Sequence, residues 1–533
     1  MDSNNLTLVL VLIVLAAALI ATPLSCLLLV SRYRKKHLLA MHTISGGAQN
    51  EVTNIHRQIE PTASLSINIE AADKLVATKK ATVYQRISSV LLISGVVYSL
   101  LTTLPPLFYF GEFSPYRMLF LMVVYLWPTV IIAAALGLRM KYPLSVYFIV
   151  FLAVCFLVIA VSRQINLLQL LFFWVYSDFL LSLVSAMLLA SRWRAIFPLV
   201  FAFWVTALTG TALADYWVVN NDTRLATAAD IMLALGLGSW GAIITWLGIS
   251  LLVFGFLGAL LLRTIGVYYR KGAFNDISLN VAALWLIFAV FHNFNYAFQS
   301  VFGLLWAILC FAITFACYKI FATHTVSAKG QALVWLRVFE MGNRGQALFG
   351  SFSVNWRRRG PIYMISGPDM NLSLITPPEF MRFVSLNLGS LYIKDDQSLR
   401  KRLEMIQNPG AVDGFYPIEE LFCHANTWQA SVTALMENTK RAIMDLRGFQ
   451  AKNTGCRFEV CEVLRRIPLK NLLFLIDDHT DSEYLTATIK EQWQLVGGSG
   501  VNANERTPEL RVLHVPDKAL KYNELEKLAN LAA

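Results

Sequence analysis

Charge is scarce in this chain. Only 15% of its 533 residues are Asp, Glu, Lys or Arg, against 56% hydrophobic. Soluble domains run near a quarter charged, so a single soluble enzyme is excluded, and so is disorder. Cysteine is scarce too: there are seven, with no C-x-x-C and no Cys/His ligand spacing. That argues against a zinc site or a disulfide framework, assigns no metal ligand, and makes the thiols small buried hydrophobes of a reducing compartment. No GxxxxGK[ST] occurs, so a P-loop nucleotidase is excluded. Gly236-Leu237-Gly238-Ser239-Trp240-Gly241 matches G-x-G-x-x-G in letters only. It lies beside an apolar run and not after a strand, so it is no dinucleotide fingerprint.

Apolar sequence is abundant and unevenly placed. Residues 1–323 are almost free of charge over long stretches and carry a net +9, whereas residues 324–533 carry +2 with ordinary globular composition. A spanning helix needs about 20 apolar residues. Candidate spans are Leu6–Val30, 88–110, 115–138, 143–162, 166–190, 196–218, 240–262, 277–294 and 300–322. The first has no basic stretch before it and Arg32, Arg34, Lys35 and Lys36 after it, so it reads as a signal anchor (residues 1–30) with its N-terminus outside. Nine spans then place the C-terminus inside. The predicted inside segments hold sixteen basic residues and the outside segments three, Arg117, Arg163 and Arg224. That bias follows the positive-inside rule, accounts for the net charge of +11 and excludes nucleic acid as the partner. Residues 228–239 read as a re-entrant or interfacial segment.

The expected fold class is therefore a membrane all-α bundle of about nine transmembrane helices followed by a cytosolic α/β Rossmann-like domain with a parallel sheet. The divisions are residues 1–30 as anchor, 31–87 as a cytosolic loop, 88–323 as the polytopic helical domain and 324–533 as the α/β domain. Within the bundle, ionisable residues are few, and such residues are functional candidates. Asp178 is the deep one. Asp215 and His292 are placed near the outer interface.

In the last 200 residues, short β-branched runs alternate with amphipathic stretches. Strands are expected at 332–339, 361–366, 441–446, 471–477 and 510–515, and helices at 344–356, 377–391, 396–406, 426–438, 455–467, 481–494 and 518–531. An insertion is expected around 392–425. Ligands of open α/β sheets bind beyond the C-terminal strand ends. That rule selects Arg344, Asp369, Asp445, Arg447, Gly448 and Gly455, with carboxylates for hydroxyls and arginines for phosphate. Arg357-Arg358-Arg359 reads as a solvated or membrane-facing patch. His424 and His479 are weaker candidates.

The sharpest stretch is Asp445-Leu446-Arg447-Gly448-Phe449, then a loop, then Gly455-Cys456-Arg457-Phe458-Glu459. It resembles TIR domains and nucleoside deoxyribosyltransferases, in which a helix glutamate after a central strand approaches the ribose anomeric carbon. The resemblance implies N-glycosidic cleavage, with Glu459 catalytic and Asp445 or Arg447 holding ribose or phosphate. The layout is also similar to a group of uncharacterised bacterial multi-pass membrane proteins. Their cytosolic domains carry strings like Leu336-Arg337-Val338-Phe339, Ser366-Gly367-Pro368-Asp369 and Leu421-Phe422-Cys423-His424. Three functions are consistent with these features. The first is an inner-membrane signalling or regulatory protein whose cytosolic domain binds a nucleotide-like ligand or a protein. The second is a membrane-tethered NAD or nucleotide N-glycosidase, and the third a transporter with a cytosolic regulatory domain. The partners expected are the lipid bilayer, a nucleotide-like small molecule, and a second copy or another protein. No cofactor is assigned.

Overall fold

The computed structural model describes residues 3–42, 63–71, 84–109, 114–135, 144–162, 165–179, 196–219, 222–236, 238–293, 301–323, 330–338, 343–366, 375–407, 410–424, 426–496, 499–516 and 528. Its contacts divide the chain into two units. Met1–Arg32, Tyr84–Ala322 and Leu374–Leu386 form a helical unit, and Tyr33–Val83, Thr323–Ser373 and Asn387–Ala533 form an α/β unit.

The helical unit contains α1 (Ser3–His42, whose last turns belong to the α/β unit), α2 (Tyr84–Tyr109), α3 (Pro115–Ala135), α4 (Leu144–Ser162) and α5 (Leu167–Trp174). A π turn, Val175–Phe179, continues α5. Then come α6 (Phe197–Val219), α7 (Asp222–Ala234), α8 (Ser239–Arg270), α9 (Asp276–His292) and α10 (Val301–Thr323). Among the described residues, five helices are long and apolar enough to cross a membrane: Pro115–Ala133, Ser145–Ser162, Phe197–Asp215, Trp240–Arg270 and Leu305–Ala322. Ser89–Pro105 and Asp276–His292 are apolar but shorter. Of the nine spans expected, five thus reach membrane length among the described residues, and the 166–190 span is described only as far as Phe179.

These helices expose apolar side chains such as Ile244, Leu252, Phe256 and Phe302. A broad apolar exterior suits hydrocarbon and not water. Close approach is built in where side chains are small. A Cβ on Gly95 of α2 would fall 2.0 Å from Thr129 Oγ1 of α3. Of the segment 228–239, the residues up to Ala234 belong to α7, Gly236 takes φ +71°, and Ser239 begins α8. The last three of the G-x-G-x-x-G letters thus lie in the first turn of α8, and the described element before them is a helix and not a strand.

The α/β unit is a single eight-stranded sheet with every named pairing parallel. Its strands are β1 (Ser66–Ala71), β2 (Leu333–Arg337), β3 (Ile362–Ile365), β4 (Tyr392–Ile393), β5 (Ile418–Cys423), β6 (Ala442–Asp445), β7 (Leu472–Ile476) and β8 (Glu509–His514), in the spatial order β1-β8-β7-β6-β2-β3-β5-β4. All five expected strands are present. The segment read as an insertion supplies β4 and β5. Residues 66–71, inside the stretch read as a loop, add β1 alongside β8.

Central strands such as β2, β3 and β7 are buried without interruption and almost wholly apolar because both of their faces are covered. Their alternate residues enter two cores, as the two-residue period requires. Val334, Leu336, Met444 and Phe474 pack with one core; Leu333, Trp335, Ile443 and Leu473 pack with the other. The covering helices are α11 (Asn343–Trp356), α13 (Asp396–Ile406), α14 (Trp428–Glu437), α15 (Thr454–Arg466) and α16 (Ser482–Val496). The helix expected at 377–391 is shorter. As α12 (Pro377–Val384) it groups with the helical unit, and it stops where Leu386 turns left-handed at φ +58°. The 518–531 helix lies outside the described residues apart from helical Leu528.

Arg357 and Arg358 are each 3% exposed, so they are not a surface patch. Arg357 Nε donates to the Tyr416 carbonyl at 2.7 Å, and both guanidinium groups approach the Phe415 ring. The arginines tie the end of α11 to the chain leading into β5, which no local charge pattern discloses.

Candidate functional site

The sheet order locates the rim of interest. β2 leads to β3 on one side, while its other neighbour, β6, leads to β7 on the opposite side. The chain leaves this central pair in diverging directions, the arrangement at which open α/β sheets bind ligands beyond their C-terminal strand ends. Arg337 ends β2 and Asp445 ends β6, and the two residues pair in register.

Asp445 and Arg447 are bound to each other. Arg447 Nε donates to Oδ1 and Nη2 to Oδ2, both at 2.8 Å, with the carboxylate fully buried and the guanidinium 7% exposed. Both lobes of the carboxylate are therefore engaged by one planar fork. The next residue, Gly448, has φ +67°, which glycine adopts without strain. Its N–H donates to Asp477 Oδ1 at 2.8 Å. His479 N–H donates to the same oxygen at 3.1 Å, and Thr480 Oγ1 lies 3.0 Å from it. The loop after β6 is thus locked by Asp445 beneath and Asp477 beside. These side chains shape the rim more than they reach out of it.

Glu459 is different. It lies one turn into α15, is 4% exposed, and its Oε2 has no hydrogen-bond partner among the described residues. Burial pushes its carboxyl up to about 8, and the positive charge of Arg337 pulls against that shift. Cys456, one turn earlier, is pushed up by burial and by the nearby Glu459. Glu459 is thus mostly protonated at neutral pH. It can donate as well as accept, and it has an oxygen to spare. Gly455 opens the same helix, with its Cα hydrogen side facing Trp428 at ordinary contact distance. Asn453 precedes the helix, but its side chain accepts from Gln450 N–H at 2.9 Å and does not cap it.

Asp445, Arg447 and Gly448 thus lie on one strand end and its loop, and Gly455 and Glu459 lie on the helix that follows. Arg344 is the second residue of α11, with its side chain outside the described residues, and Asp369 lies outside them altogether. Arg337 was not singled out from the sequence because it sits inside an apolar strand. A cavity of about 660 Å³ opens at the opposite ends of the strands, beside Pro361, Tyr363, Arg400, Glu404 and Tyr416. It contains none of the rim residues.

No family model, curated protein or solved structure matches this chain. The site is accordingly read from its own geometry.

Two further buried groups stand apart from the rim. At the β4–β5 edge, His37 Nδ1 lies 2.6 Å from Tyr392 Oη, which donates to the His37 carbonyl at 3.1 Å. Tyr392 also stacks on His424, whose two ring nitrogens have no partner among the described residues. Burial pulls His37 down to about 4. His424 is lowered by burial and by Lys394.

In the helical unit, Asp178 Oδ1 lies 3.1 Å from His292 Nε2, with the side chains 0% and 1% exposed. Tyr98 Oη lies 2.7 Å from His292 Nδ1, and the Ser177 carbonyl 3.2 Å from Nε2. His292 is therefore not a water-exposed interface residue; it is the middle of a buried Tyr–His–Asp chain. Asp215, the other residue expected at the interface, accepts from Trp246 Nε1 at 2.7 Å. Asp178 was selected from sequence as the deep acid. Its partners lie 80 and 114 residues away in sequence, and no spacing rule reaches that far.

Proposed function

We propose that this is a multi-pass bacterial inner-membrane protein of regulatory type, N-terminus outside and α/β unit in the cytoplasm. Its α/β unit binds a small ligand bearing hydroxyl and phosphate groups, such as a nucleotide, in the crevice beyond β2 and β6. The observation that carries this reading is the buried Glu459 carboxyl with its partnerless oxygen, near the charge of Arg337 at a topological switch point. A buried polar atom left without a partner costs about 1–3 kcal/mol, a penalty that a hydroxyl-bearing ligand would relieve. The basic bias of the predicted inside segments supports the orientation.

Binding is favoured over N-glycosidic cleavage. A carboxylate that steadies an oxocarbenium-like centre must be ionised. Glu459, pushed up to about 8, is mostly neutral at pH 7 and suits a hydrogen-bonding role better.

The test is calorimetry of the full-length protein in lipid nanodiscs with NAD, ATP and cyclic nucleotides, alongside Glu459→Gln and Arg337→Gln. Expected is saturable binding to one class of nucleotide, weakened at least tenfold in both variants. Binding that both variants retain at full strength would remove Glu459 from the site. Mass spectrometry of the same mixtures reads the other possibility: base release that vanishes in Glu459→Gln would establish cleavage instead.

A further inference from the structure

The helical unit contains a buried chain of titratable groups that the ligand reading does not use. Tyr98 comes from α2, His292 from the end of α9, and Asp178 from the π turn after α5. Three separate segments therefore converge on one imidazole, with Tyr98 Oη at 2.7 Å from one ring nitrogen and Asp178 Oδ1 at 3.1 Å from the other. All three side chains are buried, where a polar group is tolerated only with a partner, and each has one in this chain.

The backbone is adapted to the site. Asp178 sits in the five-residue π turn, a rare geometry that recurs at functional positions. There, the Ser177 carbonyl accepts from His292 Nε2 at 3.2 Å, outside its own helix. Aromatic rings surround the imidazole: Tyr125 at 4.7 Å, Phe288 at 5.6 Å and Tyr98 at 5.9 Å between centroids. Ring faces near an imidazole favour its cationic form. Among the described residues, the titratable groups facing His292 are Tyr98 on α2, Tyr125 on α3 and Asp178 on the π turn; Cys310 on α10 acts on Tyr98.

We propose that His292 is a proton-binding site inside the membrane bundle, with Asp178 as its fixed counter-ion and Tyr98 as the hydroxyl that follows its state. In the empty state Tyr98 O–H donates to Nδ1, while Nε2–H points to the Ser177 carbonyl and Asp178. One proton taken from water bonds to Nδ1, and the Tyr98 hydroxyl turns to accept from it. The Asp178–His292 pair passes from a net charge of −1 to zero, and no other bond changes. Releasing the proton reverses the step.

The test uses full-length protein with ¹⁵N-labelled histidine in lipid bilayers, observed by solid-state NMR. The chain has eight histidines, and the signal lost in His292→Gln assigns the site. The expected result is a neutral-to-cationic exchange of that signal between pH 5 and 9. Its proton affinity should fall at least tenfold in Asp178→Asn, and its Nδ1 resonance should move in Tyr98→Phe. A His292 signal fixed in one state across the range overturns the proposal, as does an unchanged titration in Asp178→Asn. Should Asp178→Asn fail to fold, Tyr98→Phe decides, since it keeps the ring packed on Trp285 at 4.6 Å. An unmoved Nδ1 resonance then refutes the relay.

Discussion

Two buried aspartates, one in each unit, face basic partners and do different work. In the α/β unit Asp445 is held by Arg447 through two bonds of 2.8 Å. In the helical unit Asp178 meets His292 through one contact of 3.1 Å, and the imidazole reaches on to Tyr98. A guanidinium does not lose its charge in a protein, so the first pair has a single state and serves as a fixture. An imidazole can take up or release a proton, so the second pair, as proposed, has two states. Burial of an acid is therefore not enough to mark a functional site. What separates fixture from switch is whether the partner titrates and whether an atom is left over.

The strongest way to break that comparison is to remove the fixed partner. Arg447→Ala leaves Asp445 buried and unpaired, which costs about 3–5 kcal/mol. Hydrogen–deuterium exchange of β6 and β7 peptides in the full-length protein should show that loss. The double change Asp445→Leu with Arg447→Leu should recover much of it, because it removes the buried charges together. If Arg447→Ala leaves β6 as protected as before, the pair is not a fixture and the distinction fails.

Glu459 belongs with the groups that have an atom to spare, and pH separates it from Asp445. Its folded carboxyl sits at about 8, above its ordinary value of 4.5. Between those two values the folded state holds a proton that the unfolded state has released. The corresponding stability is complete below pH 4.5 and is lost as pH rises through 8. Glu459→Gln should flatten that limb of the wild-type stability curve and change little near pH 4.5. His37 and His424 act in the opposite sense. Their folded values lie below the ordinary 6.5, so stability is present above that pH and is lost as pH falls below it. In His424→Phe, which keeps a ring against Tyr392, melts at pH 5 and pH 7.5 should differ less than in the wild type.

Gly448 sharpens the comparison from the backbone side. Its φ of +67° lets the loop after β6 turn so that Arg447 folds back onto Asp445. Gly448→Ala meets no neighbouring atom, so its cost is conformational alone, about 1–2 kcal/mol. The same exchange measurement on β6 should rank it below Arg447→Ala.

Much of this arrangement was legible in the sequence, and the failures have causes. Strands β2, β3, β6, β7 and β8 appeared as apolar runs between turn signals. β5 did not, because Glu419 and Glu420 lie within it. Glu419 is accommodated there by Arg402 at 3.0 Å, a partner on another element. β4 has only two residues, too few for any periodicity. β1 joins the sheet from far earlier in the chain, and its alternation was masked by polar neighbours. At the rim, spacing placed Gly455 and Glu459 in the first turns of the helix after β6, and α15 has them there. The spacing did not reveal that Asp445 and Arg447 satisfy each other, nor that Arg337 supplies the opposing charge. Such facts depend on which strands lie side by side, and in a parallel sheet that order is not the chain order.

The smallest expected effect marks the lower edge of the comparison. Arg457 and Glu491 form a third acid–base pair, with Nη2 to Oε2 at 2.9 Å between α15 and α16. By distance alone it matches Asp445–Arg447. Its side chains are 39% and 55% exposed, however, so water already solvates both charges and salt screens their attraction. Arg457→Ala should cost no more than about 1 kcal/mol, and the cost should shrink further in 1 M salt. Arg447→Ala, measured in the same salt series, should hold its full effect because its partner has no water to fall back on. Equal salt dependence in the two variants would mean that burial does not distinguish the pairs. A flat response for Arg447 and a fading one for Arg457 would tie the difference to solvent rather than to geometry.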